Sequence, residues 1–480
     1  MTNDVILAFP GKYGSMGPQM PLSLIYLGAA LLKAGYKPKL LDMRAESYEN
    51  LSLGNVKLVG ISCITGPSIN YSLNFARYVR EQDRDVPIVW GGVHPSCQPE
   101  QTIKNDYVDI VVRGEGEITI VELMSALENG NSLDKVRGIT YKDNAGKIKT
   151  NPDREFLNMD TLPFDLPYDL LNLDKYPLFK HGNIDIQTSR GCPYRCGYCF
   201  NKHFNKQRYR FKSAKLVADE VEHVVDKYHI KHVSFIDDEF FLGIARQEAM
   251  CREIIARGID IEWNAIVRVD TFMRYDEQLC KLIVKSGLRE LSFGVETASP
   301  RLLKMVGKDI QLDTVLSAAK KATSLNLKSG YLFMCGLPTE TMEDLHMSMD
   351  FVDKIRAVNA TAKFLFAIYT PYPGTQLYDM LLKEKEFGYT PPQRLEDWGN
   401  YDFIHYQAPW ISKKYYSFLT NLATVSRFAL WTFPEWAAVF PYNIAHALFS
   451  GLAKTRWNHR FFKFPIEAIA AKKWRDRKSF

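Results

Sequence analysis

Short apolar runs alternate with stretches of helical periodicity along most of the chain. Val5-Ile6-Leu7-Ala8-Phe9 ends in Pro10-Gly11, and Leu22 to Ala34 carries apolar residues at helical spacing before stopping at Gly35. Lys39-Leu40-Leu41-Asp42, Leu58-Val59-Gly60-Ile61-Ser62-Cys63, Pro87-Ile88-Val89-Trp90 and Val108-Asp109-Ile110-Val111-Val112 read as further strands, with a helix over Ser68 to Arg80. Buried strands alternating with helices predict an α/β, Rossmann-like, doubly wound parallel sheet over residues 1–128, with ligands at the carboxyl ends of its strands. Residues 129–183 read as a connector. Gly138-Ile139-Thr140-Tyr141 and Lys147-Ile148-Lys149 flank the turn Asp143-Asn144-Ala145-Gly146, a hairpin signal. Pro163, Asp165, Pro167, Asp169 and Pro177 then mark a loop crossing between domains.

Residues 184–385 offer strands at Ile184–Thr188, His232–Ile236, Ile261–Val267, Glu290–Phe293, Ser329–Met334 and Lys363–Ile368, with helices such as Ser213–Tyr228 and Thr341–Ile355 between them. Six strand–helix units predict a partial (β/α)6 TIM-type barrel whose site lies on the carboxyl-end loops. Residues 386–480 read as mainly helical, aromatic and basic. Trp410, Trp431 and Trp436 accompany Tyr415, Tyr416, Phe418, Phe428, Phe433 and Phe440, and a mostly apolar run from Phe428 to Ala453 is interrupted by Glu435 and His446. Pro434, Pro441 and Glu435 argue against a bilayer span. Lys454, Arg456, Trp457, Arg460, Phe461, Phe462 and Lys463 follow, then Lys472, Lys473, Arg475, Arg477 and Lys478. This tail fits a helix lying in an anionic membrane surface, or a helical cap over the open barrel.

Composition narrows the class. At 480 residues the prior is two to four domains, and 46% apolar with 24% charged residues are the proportions of a soluble protein. A net charge of +6 is too mild for a dedicated nucleic-acid stripe, so no nucleic-acid partner is expected. Of eight cysteines, Cys63, Cys97, Cys251, Cys280 and Cys335 are scattered in mostly apolar contexts, which fits core thiols in a reducing compartment. Met1-Thr2-Asn3-Asp4 runs straight into a strand without a signal peptide, so the expected location is cytoplasmic, with the tail leaving the membrane surface open.

The remaining cysteines carry the chemistry. Cys192-Pro193-Tyr194-Arg195-Cys196-Gly197-Tyr198-Cys199 places three thiols at C-x3-C-x2-C spacing. A [4Fe–4S] cube takes four cysteines, so three leave one iron open to an exogenous ligand. His203 completes a possible Cys3His zinc knuckle. A knuckle has no need of the strand before it or the five strand–helix units after it, which favours the cluster.

Three glycine loops fall at strand ends: Thr65-Gly66-Pro67-Ser68, Gly91-Gly92-Val93-His94-Pro95 and Gly114-Glu115-Gly116-Glu117. Their glycines admit a ligand close to backbone, and helix starts at Ser68 and Glu117 offer free N–H groups. In the barrel region Asp237-Asp238-Glu239, Arg268, Gly294-Val295-Glu296-Thr297, Gly336-Leu337-Pro338-Thr339-Glu340 and Pro371-Tyr372-Pro373-Gly374-Thr375 gather at successive strand ends. Any one of these charges could be merely solvated; their recurrence points to a site.

Thr188-Ser189-Arg190-Gly191-Cys192 through Cys199 resembles the signature of the radical S-adenosylmethionine (radical SAM) enzymes, in the branch with an N-terminal cobalamin (B12)-binding domain. The resemblance spans roughly residues 5–385. It implies a [4Fe–4S] cluster on Cys192, Cys196 and Cys199 as the catalytic centre, SAM chelated at the open iron, and cobalamin in the first domain. It further implies Tyr198 against adenine, Asp238 and Glu239 near the SAM ammonium, Arg268 on its carboxylate, Glu296 near the ribose and Gly336 in the same site. Thr65, Ser68, Gly91, Gly92, His94, Glu115 and Gly116 fall to cobalamin. The D-x-H-x-x-G signature, whose histidine coordinates cobalt from below in many cobalamin proteins, is absent. His94 is either a solvated turn residue or a cobalamin contact, and the resemblance is read with no protein imidazole on the cobalt. Lys202, Lys206, Arg208 and Arg210 form a basic loop, solvated or touching cobalamin or an anionic substrate.

The activity so implied is a cobalamin-dependent radical SAM methyltransferase acting on an unactivated carbon, through a 5′-deoxyadenosyl radical and methylcobalamin, and the aromatic, basic tail points to a hydrophobic small molecule as its substrate. A reductant such as flavodoxin or ferredoxin is its expected partner. The alternatives are a cyclase or rearrangement enzyme, since the chain also resembles the anaerobic cyclase of bacteriochlorophyll synthesis, and a zinc-stabilised membrane-surface binding protein.

Overall fold

The computed structural model describes residues 3–13, 19–143, 145–402, 406–430 and 442–463, with 466 and 469. The first sheet has seven strands: β1 (Val5–Phe9), β2 (Pro38–Asp42), β3 (Leu58–Ser62), β4 (Ile88–Gly91), β5 (Ile110–Val112), β6 (Ile139–Lys142) and β7 (Ile148–Thr150), in the order β2-β1-β3-β4-β5-β6-β7. The first five in that order pair in parallel, the doubly wound arrangement expected. Alternation along the strands explains the two helical layers. Val5, Leu7, Leu58 and Val89 pack with helices Leu22–Lys33 and Glu117–Glu128, whereas Ile6, Ala8, Val59, Ile61 and Trp90 pack with helix Ser68–Gln82.

The hairpin assigned to the connector belongs to this sheet. β6 joins β5 antiparallel and β7 joins β6, so the sheet runs to Thr150 instead of ending near residue 128. Asn144, in the turn, lies outside the described residues.

The second sheet comprises β8 (Asn183–Ile186), β11 (His232–Phe235), β12 (Glu262–Val267), β13 (Leu288–Glu296), β14 (Lys328–Cys335) and β15 (Lys363–Ile368), all parallel and in sequential order. A two-stranded antiparallel ribbon, β9 (Ser189–Arg190) with β10 (Arg210–Phe211), lies between β8 and β11 in the chain. Phe272, Phe293, Tyr331 and Phe364 form a run of ring contacts at 5.4–5.7 Å that secures one face of the strands to its helices. The other face is lined by smaller and half-buried residues, including Ser234, Asn264, Ser292, Gly294, Met334 and Ala367, and Ile266 there is 43% exposed. A closed barrel fills its lumen with side chains; this partial one leaves space.

Both edges of the partial barrel are covered. At β8 the first domain and the connector reach over: the Met20 amide donates to Asp185 Oδ2 at 2.8 Å, and the Tyr168 hydroxyl of the connector to the Asp185 carbonyl at 2.9 Å. At β15, helices Lys413–Leu430 and Tyr442–Asn458 close the other side. Leu419, Leu422 and Val425 are buried, the Trp457 ring lies 5.9 Å from Phe366, and its Nε1 donates to Asp353 at 3.0 Å. Of the two readings of this tail, the described residues form the cap. Among them no helix is long and apolar enough to cross a membrane. Trp431, Phe433, Pro434, Glu435, Trp436, Phe440, Pro441 and Lys472 through Lys478 lie outside the described residues, as does the side chain of His446.

Candidate active site

The three cysteines sit in the loop that β9 and β10 hold at its base. Asp237, just after β11, gathers the Thr188 amide at 2.6 Å, the Thr188 hydroxyl at 2.5 Å and the Ser189 hydroxyl at 2.6 Å, so the approach to the loop is fixed to the neighbouring strand. Gly191 turns the chain with φ +83°, and its amide donates to Asp238 Oδ2 at 2.8 Å; a Cβ there would collide with the Arg208 carbonyl oxygen. Cys192, Cys196 and Cys199 are free and half-buried. Burial pushes the Cys192 thiol up to about 12 and Cys199 to about 11, so holding them as thiolates requires a cationic centre. Donors stand ready for the sulfurs: Arg268 Nη1 lies 3.6 Å from Cys196 Sγ, and Asn201 Nδ2 3.6 Å from Cys199 Sγ. Such outer contacts tune iron–sulfur centres. Among the described residues no three or more His, Cys, Asp or Glu side chains are grouped as ligands of a single metal ion.

Around the loop the strand-end residues fall into two groups. Arg268, the last residue before helix Val269–Met273, is held by Asp270 (Nε to Oδ1 2.9 Å) and lies 3.7 Å from the centre of the Tyr194 ring, whose hydroxyl in turn donates to Asp270 at 3.2 Å. Glu239 supports it from behind. Its Oε2 accepts the Arg268 amide at 2.7 Å and its Oε1 the Thr271 hydroxyl at 2.8 Å, while burial raises its carboxyl to about 7. Glu239 therefore orients Arg268 from a buried position.

The second group is Tyr198, Glu296 and Lys308. The Tyr198 hydroxyl donates to Glu296 Oε1 at 2.7 Å, and Lys308 Nζ reaches that oxygen at 3.0 Å and the tyrosine oxygen at 3.2 Å. Glu296 ends β13 at a break in register with β14 and has φ +69°, a strained conformation for a residue with a side chain.

Gly336 is placed elsewhere. Its amide donates to Glu340 at 2.5 Å, its carbonyl accepts from Trp410 Nε1 at 3.1 Å, and a Cβ there would stand 2.9 Å from Ile411. The C-terminal segment covers it, so it is not an open ligand contact.

Where the domains meet, a cavity of about 330 Å³ opens at the carboxyl ends of β1, β3, β4 and β5. Leu7, Ile61, Val89, Val112 and Ile120 make its floor apolar, and Gly91, Gly92, Gly114, Glu115 and Gly116 lie along its wall. Gly92 has φ +95°, and a Cβ there would meet Cys63 backbone at 2.6 Å, so the close turn needs glycine. The opposite wall comes from the cysteine-bearing domain: Gln187, Arg190, Phe200, Phe204, Asn205 and Asp238. An apolar floor with a glycine rim at strand ends is a lining chemically suited to one face of a cobalamin. Glu115 joins the two walls, accepting Arg190 at 2.9 Å and Arg210 at 2.7 Å; Arg190 also pairs with Glu117 at 2.6 Å. Burial tends to raise the Glu115 carboxyl, but the two guanidiniums outweigh it and hold it below its ordinary value.

Thr65, Ser68 and His94 are not part of that wall. Val93 lines the cavity, but His94 packs away from it, fully buried, with Nδ1 2.9 Å from the Thr65 hydroxyl and its ring 5.5 Å from that of Trp398. It is neither a solvated turn residue nor a group facing the cavity, and burial lowers its pKa to about 3. The Ser68 hydroxyl bonds back to the Ile64 carbonyl at 2.5 Å, and the Gly66 turn is overlaid by the Tyr401 carbonyl. Of the basic loop, Arg210 is spent on Glu115 and Lys206 pairs with Asp153 at 3.0 Å. Sequence reasoning passed over Lys308, Asp270 and Asn201, and the anchoring roles of Tyr194 and Arg190. Only Tyr194 and Arg190, inside the motif, and Asn201, two residues beyond it, had a nearby signal.

The chain matches the model of the radical SAM superfamily over residues 186–352 and that of the B12 binding domain over residues 15–124. It is 34% identical over 374 residues to an uncharacterized methyltransferase of Pyrococcus horikoshii, covering 76% of this chain and 79% of that one. It is 28% identical over 380 residues to the anaerobic magnesium-protoporphyrin IX monomethyl ester cyclase of Rubrivivax gelatinosus, covering 75% and 66%. The fold is shared with the cobalamin-dependent SAM radical enzyme OxsB solved with aqua-cobalamin, at TM-score 0.74 and 19% identity over 98% of this chain and 75% of that one.

Proposed function

The chain belongs to the radical SAM superfamily and carries a B12-binding domain, and from that premise we propose that it transfers a methyl group to an unactivated carbon of a hydrophobic small molecule. Its cofactors are a [4Fe–4S] cluster, SAM and cobalamin. The observation that carries the reading is the shared wall. Phe200, Phe204, Asn205 and Asp238, which lie on or beside the cysteine loop, line the same cavity as the glycine loops of the first domain. A carrier held there adjoins the site of SAM cleavage. When bound, the cluster supplies the electron that cleaves SAM, and cobalamin carries the methyl group.

The chain's own residues do the positioning. Cys192, Cys196 and Cys199 hold the cluster; Arg268, fixed by Asp270 and Tyr194, offers its guanidinium to the SAM carboxylate. Tyr198 and Glu296 meet the nucleoside end, and Gly91, Gly92, Glu115 and Gly116 line the cobalamin. Ile266, Met334 and Ala367 are the apolar part of a lumen that also carries Ser234, Asn264 and Ser292, and they support a hydrophobic substrate. Flavodoxin or ferredoxin would provide the reducing electron.

Metal content after anaerobic purification from cells supplied with cobalamin tests this, with about four irons and about one cobalt per chain expected. Iron without cobalt would refute methyl transfer through cobalamin. The likeness to the cyclase supports ring closure as the second reading. Product mass separates the two, because methylation adds one CH2 and ring closure does not.

A further inference from the structure

Lys308 has no part in the motifs read from the sequence, yet it is one of the most constrained cations in the barrel. It is 6% exposed, and its ammonium touches both Glu296 Oε1 and the Tyr198 hydroxyl. Four features are built to bring it there. Gly294 leaves the space: a Cβ on it would stand 2.7 Å from Glu296 Oε1 and 2.8 Å from Lys308 Nζ. The turn carrying Lys308 is fastened to the cysteine loop by the Gly197 amide, which donates to the Val306 carbonyl at 2.6 Å. Gly307, at φ +62°, lets that turn close, since a Cβ on it would lie 3.1 Å from the Arg195 carbonyl oxygen. The strained backbone at Glu296 completes the arrangement. Both hydrogen bonds to the carboxylate fall on Oε1, which leaves Oε2 without a bond to a described residue.

We infer that Lys308 is a positioning residue of the SAM site: by holding Oε1 of Glu296 and the Tyr198 hydroxyl in one cluster, it aims Oε2 at the ribose diol and sets the tyrosine ring as the wall of the nucleoside pocket. This rests on the proposal above that Tyr198 and Glu296 meet the nucleoside end of SAM. A lysine ammonium is a three-donor point charge and can serve two acceptors at once. Without it, Glu296 loses the partner that fixes its rotamer, and the ribose loses an ordered acceptor.

The test uses the anaerobically purified holoenzyme and two probes that divide SAM into its ends, 5′-methylthioadenosine and L-methionine, with affinities measured by equilibrium dialysis. Lys308→Met should weaken 5′-methylthioadenosine tenfold or more, the order expected for loss of one charge-assisted contact, with methionine binding and iron content unchanged. Lys308→Arg, whose fork also reaches two acceptors, should restore most of the affinity. In a Glu296→Gln background the lysine substitution should have little further effect, because it acts through Glu296. Unchanged 5′-methylthioadenosine binding in Lys308→Met, with Glu296→Gln impaired, would overturn the role of Lys308 alone. Unchanged binding in Glu296→Gln would overturn the underlying placement of the nucleoside. Equal loss of both probes, or a loss that Lys308→Arg does not recover, would show a structural role and overturn the inference. Tyr198→Phe gives a second route if Lys308→Met does not fold: it removes the shared hydroxyl without changing charge and should also weaken 5′-methylthioadenosine selectively.

Discussion

Lys212 and Glu220 form an ion pair at 2.5 Å with both side chains 0% exposed, and the Tyr26 ring and hydroxyl, from the first domain, complete the enclosure. Burial pulls the lysine down, but the carboxylate and the phenol outweigh it and leave the ammonium firmly charged. Lys212→Met would leave Glu220 in the same enclosure with no counter-charge. Removing one partner of a buried pair costs about 3–5 kcal/mol. At about 2–4 °C per kcal/mol for a domain of this size, the midpoint should fall by about 6–20 °C. Glu220 Oε1 has no hydrogen-bond partner among the described residues, so nothing nearby takes over from the lysine. Lys212→Met with Glu220→Leu should recover most of the loss, since an apolar pair of similar volume carries no desolvation penalty; Tyr26 would keep its bond to the Gln187 carbonyl at 3.2 Å. The single variant also has a pH signature. Burial alone raises the Glu220 carboxyl, so the protonated form is stabilised by folding. That contribution is whole below the unfolded carboxyl value and is lost as pH rises, so the deficit of Lys212→Met should shrink on acidification. Thermal and urea denaturation followed by circular dichroism from pH 5 to 8, at matched iron content, would measure all three effects. A neutral single variant, or a double variant no more stable than the single, would refute the reasoning.

Three further outcomes follow from the site and its cap. Gly191→Ala forces a Cβ into the Arg208 carbonyl and should abolish iron retention, read from the absorbance of the reconstituted protein, while leaving the far-UV spectrum close to wild type. Glu239, raised by burial from 4.5 to about 7, contributes stability that is present below its unfolded value and lost as pH rises through 7; Glu239→Gln should remove that dependence and gain about 3 kcal/mol on the wild type between pH 4.5 and 8, seen in paired denaturation curves, while weakening SAM binding through Arg268. Trp457→Ala, at a fully buried site against Phe366, should cost about 3–5 kcal/mol in urea denaturation.

The alternating layers of both domains were legible because buried parallel strands are short apolar runs with breakers at their ends. The runs at Lys363–Ile368 and Val5–Phe9 became strands with the same bounds. The extension of the first sheet past residue 128 escaped the sequence for a local reason: β7 is exposed or half-buried along its length, so nothing in Ile148-Lys149-Thr150 signals that it joins the sheet. The errors at His94, Ser68 and Gly336 have another origin. Each local pattern does describe a strand-end loop, but Trp398, Tyr401 and Trp410, distant in the chain, come to lie over them. Lys308 was invisible because a single lysine after a helix carries no pattern; only the glycines at 294 and 307 hint at the close approach it needs.

The covering of β8 by the first domain with the connector, and of β15 by the C-terminal helices, has a consequence for how this protein can be taken apart. A bare six-stranded sheet would present two rows of free backbone donors and acceptors, a template on which copies of itself could add. The flanking regions therefore act as guards against fibrous or amorphous self-association, in addition to any part they play in binding. A fragment trimmed to residues 184–385 would expose both rows at once, and its first failure should be precipitation on expression.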